Sequence, residues 1–225
     1  SKLTCMLEGE QKSLYTANLQ GLRHTLDVSD SPNRVEVLSM IMRLRQLCCD
    51  PALVYPDYNG NSAKLDSCID LIASAVEGGH KVLLFSQFTS MLDIIKERLA
   101  GRNITFYLLT GDNPKSERLE LVKKFNSDDT NVFLISLKAG GTGLNLTGAD
   151  IVIHYDPWWN ESVMNQATDR AYRIGQSKTV HVYKLILSGT LEESIYELQQ
   201  KKSALSGRVV GQENNLKDII KLIKQ

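Results

Sequence analysis

Two short runs made wholly of apolar residues, VLLF at 82–85 and VFLI at 132–135, stand among segments patterned for helices. A strand with no polar alternation leaves neither face for water, so it belongs inside a sheet that is covered on both sides. That requirement makes this an α/β chain. Further strands are expected at ITFYLL (104–109), at IVIHY from 151 and at TVHVYKLI (179–186). Helices are expected between them: 63–77, ended by Gly78 and Gly79; 88–99; a third to about 125, with Asn113 as N-cap and Pro114 at its first position; a fourth from about 160; and one opened into residue 200 by a capping box of Thr190 and Glu193. Alternation of this kind implies right-handed crossovers and a mostly parallel sheet with helices on both faces, and ligands gather beyond the carboxyl ends of such strands. The first third reads differently. Residues 10–26 and 34–48 carry apolar side chains at three- and four-residue spacing, followed by a surface connection, DPALVYPDYNGNS, at 50–62.

Composition removes several classes. With 42% hydrophobic residues and 26 Lys+Arg against 26 Asp+Glu, the chain is neither disordered nor fibrous. Its apolar runs fall far short of the roughly 20 residues that span a bilayer, so no membrane protein is expected. The start, SKLTCMLEGEQK, has no initiator Met and no signal core, and reads as a cut from a longer chain. Cys5, Cys48, Cys49 and Cys68 form no CxxC pair and share no ligand spacing with the four His. Reduced, buried thiols are expected, and no metal site. Charge is uneven: residues 165–225 hold 10 Lys+Arg and 6 Asp+Glu, a surplus of +4, while 1–164 hold 16 and 20. That leaves room for a local phosphate-binding surface.

Two segments carry candidate chemistry. The loop SLKAGGTGLNLTGAD (136–150) has four glycines and one lysine, and backbone that must approach a phosphate closely needs glycine. The same glycines also suit a tight strand-to-helix connection without a ligand. Neither GxxxxGK[ST] nor a full GxGxxG occurs, so a self-contained nucleotide loop is missing. In NQATDRAYRIGQ (165–176), Arg170 and Arg173 stand three apart on one helix face, with Gln166 one turn back. Two permanently charged guanidinium groups aimed one way suit a phosphate chain. Alone, such a pair is more often solvated or salt-bridged than functional, and Asp169 is a ready local partner. Trp158 and Trp159 are candidates for stacking or for core packing, and Ser136, Lys138 and Thr142 for phosphate donation.

Together, VLLFSQFTSMLDII, YLLTGDNPKSER, VFLISLKAGGTGLNLTGADIVIHYDPWWN and NQATDRAYRIGQ resemble, in order and spacing, motifs IV, IVa, V and VI of the SWI/SNF family of superfamily 2 helicase-like enzymes. RQLCCDP at 45–51 is similar to the segment by which that family enters its second lobe, and the lack of a long insertion resembles the compact bacterial members. The resemblance implies a RecA-like second lobe of a two-lobe DNA translocase. It predicts a helical segment over 1–61, the helicase C-terminal lobe over 62–205 and a helical tail over 206–225. It also implies ATP with Mg2+ held mainly by a first lobe, and double-stranded DNA as a partner. A DNA-bound protein such as RNA polymerase is among the partners it admits, and a nucleoid-associated cytoplasmic location, or a nuclear one in a eukaryote, follows. Carried over by residue, Arg170 and Arg173 would be arginine fingers aligned by Gln166. Gly143 and Asn145 would lie near the ribose and phosphates. Ser86, Gln87, Thr110, Gly111, Ser136, Lys138, Gly140 and Gly141 would line the DNA track, with Trp159 and Asn160 beside it. Tyr172 stands where the family commonly has His, and Glu161 where it commonly has Pro.

A phosphate loop with its lysine and the DExH-type metal carboxylates do not occur in these 225 residues, so the chain alone is expected to bind ATP weakly and hydrolyse it negligibly. Two rivals stay open: a strand-separating helicase lobe of the same superfamily, which fork unwinding beside triplex displacement would distinguish, and a non-catalytic DNA- or protein-binding module, against which the paired arginines speak. A dinucleotide-binding oxidoreductase is disfavoured by the incomplete glycine fingerprint.

Overall fold

The structure, a computed structural model, describes residues 1–28, 32–140, 144–156, 161–169, 171, 178–205 and 212–224. By internal contacts the chain divides into two compact units. One comprises residues 1–3 and 65–185, the other 4–64 and 186–225.

The first unit is built on a sheet whose strands are β1 (Lys2–Met6), β2 (Val82–Ser86), β3 (Phe106–Leu109), β4 (Val132–Ser136), β5 (Ile151–His154) and β6 (His181–Ser188), in the order β1-β6-β5-β2-β4-β3. β1 and β6 run on into the second unit. The pairs β2–β4, β2–β5, β3–β4 and β5–β6 are all parallel. Every residue of β2 and β4 is buried, the outcome that their unbroken apolar runs require. One face of the sheet presents Leu83, Phe85, Phe133, Ile135 and Val152 to a core completed by Val122 and Phe125 of α5 (Lys115–Ser127) and Ala167 of α7 (Glu161–Thr168). α4 (Thr89–Gly101) buries Met91, Leu92, Ile95 and Leu99 against β2, β3 and β4, and none of these belongs to that core, so it covers the opposite face. α3 (Ala63–Glu77) runs beside α4, joined to it by Arg98–Asp66 (2.5 Å) and Arg102–Asp70 (2.9 Å).

Four local readings shift. β3 begins at Phe106, because the Ile104 N–H bonds the Leu99 carbonyl and closes α4 behind Asn103, whose φ is 56°. Pro114 is itself the cap residue of α5, while the Asn113 side chain turns back to accept from the Thr110 N–H. Leu137–Gly140, expected as loop, forms one helical turn, α6, with the Ser136 hydroxyl accepting from the Ala139 N–H. β1 was not anticipated: it is an edge strand with only Cys5 buried, and so shows no apolar alternation.

The second unit holds α1 (Gly9–Val28), α2 (Arg34–Cys49), α8 (Leu191–Leu205) and α9 (Gln212–Ile223). α1 buries Gln11, Tyr15, Leu22 and Leu26 along one stripe. α2 starts at Asn33, whose side chain accepts from the Val35 N–H at 2.9 Å. α8 opens on Thr190, whose hydroxyl accepts from the Glu192 N–H, while Glu193 accepts from the Gly189 N–H; both bonds lie one residue off the standard box. Arg23 of α1 donates to the last carbonyl of α9, at Ile223, at 2.7 Å, where a cation also suits the helix dipole. All four cysteines are buried.

Candidate functional site

Strand register assembles the candidate site. Ser86 at the carboxyl end of β2 lies opposite Ser136 at the end of β4, and Ile135 lies opposite Leu109, so Thr110 follows directly beside Ser136. Strands about 4.8 Å apart thus bring the ends of β2, β4 and β3 into one row roughly 10 Å long. Gln87, Gly111, Lys138 and Gly140 follow those ends in the chain. Residues that are far apart in sequence therefore share one edge of the sheet.

The members of the row differ in exposure. Ser86 and Ser136 are buried and their hydroxyls are engaged within the protein. Ser86 Oγ accepts from the Phe88 N–H (3.1 Å) and lies 3.2 Å from Asp156, whose buried carboxylate also accepts from the Gln87 N–H at 3.1 Å. Asp156, two residues beyond β5, thereby ties the end of β5 to the turn after β2. Lys138 and Gly111 are exposed, and Thr110 and Gln87 half-buried. A Cβ on Gly111 would meet nothing within 4 Å, so another molecule has room to approach the backbone there.

Arg118 is a residue that pattern reading did not single out. Its Nε donates to the Asn113 carbonyl (2.7 Å) and its Nη2 to the Gly111 carbonyl (2.8 Å), while Asn113 Oδ1 holds the Thr110 N–H at 2.7 Å. One guanidinium fork thus fixes the turn that carries Thr110 and Gly111. The available clue was an arginine in the first turn of the helix after TGDNP.

Of the nucleotide-side candidates, Asn145 and Gln166 are exposed. Asn126 of α5 secures the turn after Asn145, donating to the Asn145 carbonyl (2.8 Å) and accepting from the Gly148 N–H (2.9 Å); a Cβ on Gly148 would come within 3.0 Å of the Asn126 side chain. Gln166 stands on α7 between the buried Met164 and Ala167. Arg170, Arg173, Gly141, Gly143, Trp159 and Asn160 lie outside the described residues.

Charges at the opposite, amino edge of the sheet are neutralised internally. Burial of Asp150 works against ionisation, but hydrogen bonds from His80 (2.8 Å) and the Lys81 N–H (3.2 Å), with Lys178 at 3.5 Å, hold its carboxyl below the usual range. The Lys81 ammonium, lowered by burial, bonds the Phe125 and Asp128 carbonyls and sits over the Phe125 ring. The carboxyl edge, in contrast, keeps Lys138 exposed. Among the described residues no group of three His, Cys, Asp or Glu is placed to hold a metal ion. The described residues therefore offer no three-ligand protein site for Mg2+.

A family model for the helicase conserved C-terminal domain matches residues 63–175. An uncharacterized ATP-dependent helicase of Mycoplasma genitalium, MG018, is 39% identical over 214 residues, covering 93% of this chain and 20% of the relative. The human SWI/SNF-related matrix-associated actin-dependent regulator of chromatin subfamily A member 1 is 36% identical over 233 residues, covering 95% and 22%. The solved Sulfolobus solfataricus SWI2/SNF2 ATPase core in complex with dsDNA matches at a TM-score of 0.80 and 35% identity, over 91% of this chain and 44% of that one. The chain spans about a fifth of the length of the curated relatives it matches.

Proposed function

The chain belongs to the helicase conserved C-terminal domain family, on its SWI/SNF branch, and from that premise we propose that it is the second motor lobe of an ATP-dependent translocase of double-stranded DNA. The observation that supports this reading most is the register that sets Ser86 opposite Ser136 and Thr110 beside it, leaving Gly111 and Lys138 open at the same edge. Contacts of that kind, from backbone and one lysine, suit phosphates and carry no sequence information, as a protein that moves along a duplex requires. Ser86 and Ser136 act in this reading by holding the backbone that touches DNA. Gly140, Gly141, Trp159 and Asn160 extend the track.

The reaction is phosphoryl transfer from ATP to water, in which negative charge spreads over the oxygens of the transferring group. Arg170 and Arg173 answer that charge with two cations that cannot lose their protons, Gln166 aligns them, and Gly143 and Asn145 face the ribose and phosphates. Mg2+ and the phosphate loop belong to the first lobe. Closure of the lobes on ATP brings the arginines in, and reopening shifts the DNA contacts. The isolated chain is accordingly inactive. In the full-length parent protein, Arg173→Ala or Arg170→Ala lowers DNA-stimulated ATP turnover on the order of a thousandfold. Turnover at the unaltered rate in both variants would overturn the assignment.

A further inference from the structure

His154 ends β5 opposite Phe85 of the central strand. Its ring is buried, stacked on Phe85 at 5.7 Å between centroids and 22° between planes. Its Nε2 lies 2.9 Å from the hydroxyl of Thr168, the last residue of α7, whereas its Nδ1 is buried and has no hydrogen-bond partner among the described residues. A phenylalanine could fill and stack in the same space without burying an orphaned nitrogen, which is costly. What the imidazole adds, among the described residues, is its bond to Thr168.

Thr168 is a junction. Its carbonyl accepts from the Ala171 N–H at 3.0 Å, and Ala171 is wholly buried in the core of the first unit. The Asp169 N–H bonds the Asn165 carbonyl at 2.8 Å. Arg170 thus stands in the chain between two residues whose backbone is anchored, and the side-chain tether of that anchor is the bond to His154. A long side chain magnifies any rotation at its root, and a misplacement of about 1 Å at the reacting group can cost on the order of a hundredfold in rate.

We infer that His154 is a positioning residue for the arginine-finger segment: through Thr168 it ties the end of α7 to the sheet, so that the chain leaves toward Arg170 from a fixed point. This rests on the proposed function. The test uses the full-length parent protein with Thr168→Val, which keeps shape and removes the hydroxyl, Thr168→Ser, which keeps the hydroxyl, and Arg170→Ala as reference. Turnover is measured at saturating ATP and DNA beside KM for ATP, half-saturation by DNA and Tm. The expected result is a kcat loss in Thr168→Val on the order of tenfold to a hundredfold. KM and DNA half-saturation stay within about twofold, and Thr168→Ser stays near the parent kcat. Equal loss in Thr168→Val and Thr168→Ser would assign the effect to packing and overturn the inference. Unchanged kcat in Thr168→Val beside a crippled Arg170→Ala would overturn the inference alone, and an unimpaired Arg170→Ala would overturn the finger assignment together with it.

Discussion

His154 shows how one residue's surroundings set a property of the whole fold. Burial lowers its pKa from the ordinary 6.5 to about 3, and the positive charge of Lys184 adds to the shift. In the unfolded chain the ring takes a proton as pH falls through about 6.5, while in the folded chain it stays neutral until about 3. The unfolded state therefore gains protons first, and stability that is whole above about pH 6.5 is lost through that window. Between pH 7 and pH 5 this one group costs about 2 kcal/mol. Urea denaturation of the parent chain and of His154→Phe at both pH values checks this. The parent should lose about 2 kcal/mol more than the variant, and equal losses would show that the ring titrates normally. The family motif that contains His154 gave this residue no role, because what distinguishes it is a partner 14 residues away on another element.

Among the elements, the start of α3 and the start of α8 meet through charge. Lys64 is fully buried, with its ammonium 2.6 and 2.5 Å from the two carboxylate oxygens of Glu192, one of which also accepts from the Leu187 N–H. Burial acts to lower the Lys64 pKa, but the Glu192 charge prevails and holds it above its ordinary value. The neighbouring Cys48 thiol is pushed up by burial and then by Glu192, so it stays protonated and inert. The Tyr15 hydroxyl accepts from the Leu191 N–H beside the same pair. Removing one partner strands the other charge in the interior. Lys64→Met or Glu192→Leu alone is expected to cost about 3–5 kcal/mol, and the double substitution to recover most of it. A double-mutant cycle by chemical denaturation measures this, and additive losses would refute it. Sequence reading reached Thr190 and Glu193 as a cap and passed over Glu192 between them. Capping is local chemistry, whereas the partner of Glu192 lies 128 positions away.

For the molecule as a whole, the second unit is assembled from both ends of the chain, residues 4–64 and 186–225. Its early helices depend on late residues: Lys64 on Glu192, Tyr15 on Leu191, and Arg23 on the carbonyl of Ile223. A chain ended after Gly189 loses all three. In limited proteolysis, residues 4–64 of that truncated chain should be digested well before the segment that carries β2 to β5. Equal protection of residues 4–64 in the truncated and complete chains would contradict the dependence.

What the sequence by itself determined was periodicity. VLLF and VFLI had to be strands buried on both faces, because a run with no polar residue has no side to offer water, and the segments with apolar residues at three- and four-residue spacing had to be helices. Motif order along the chain likewise marked which loops lie beyond the carboxyl ends of the strands. Only the tertiary structure decided which strands are neighbours, and hence that Ser86 faces Ser136 and that Thr110 stands beside it. It alone also revealed the inward turn of both serine hydroxyls, the Arg118 fork, the Thr168 bond of His154 and the Lys64–Glu192 pair. Burial patterns repeat every two or 3.6 residues and are written locally, whereas a partner across the sheet is selected only once register and packing have closed the distance.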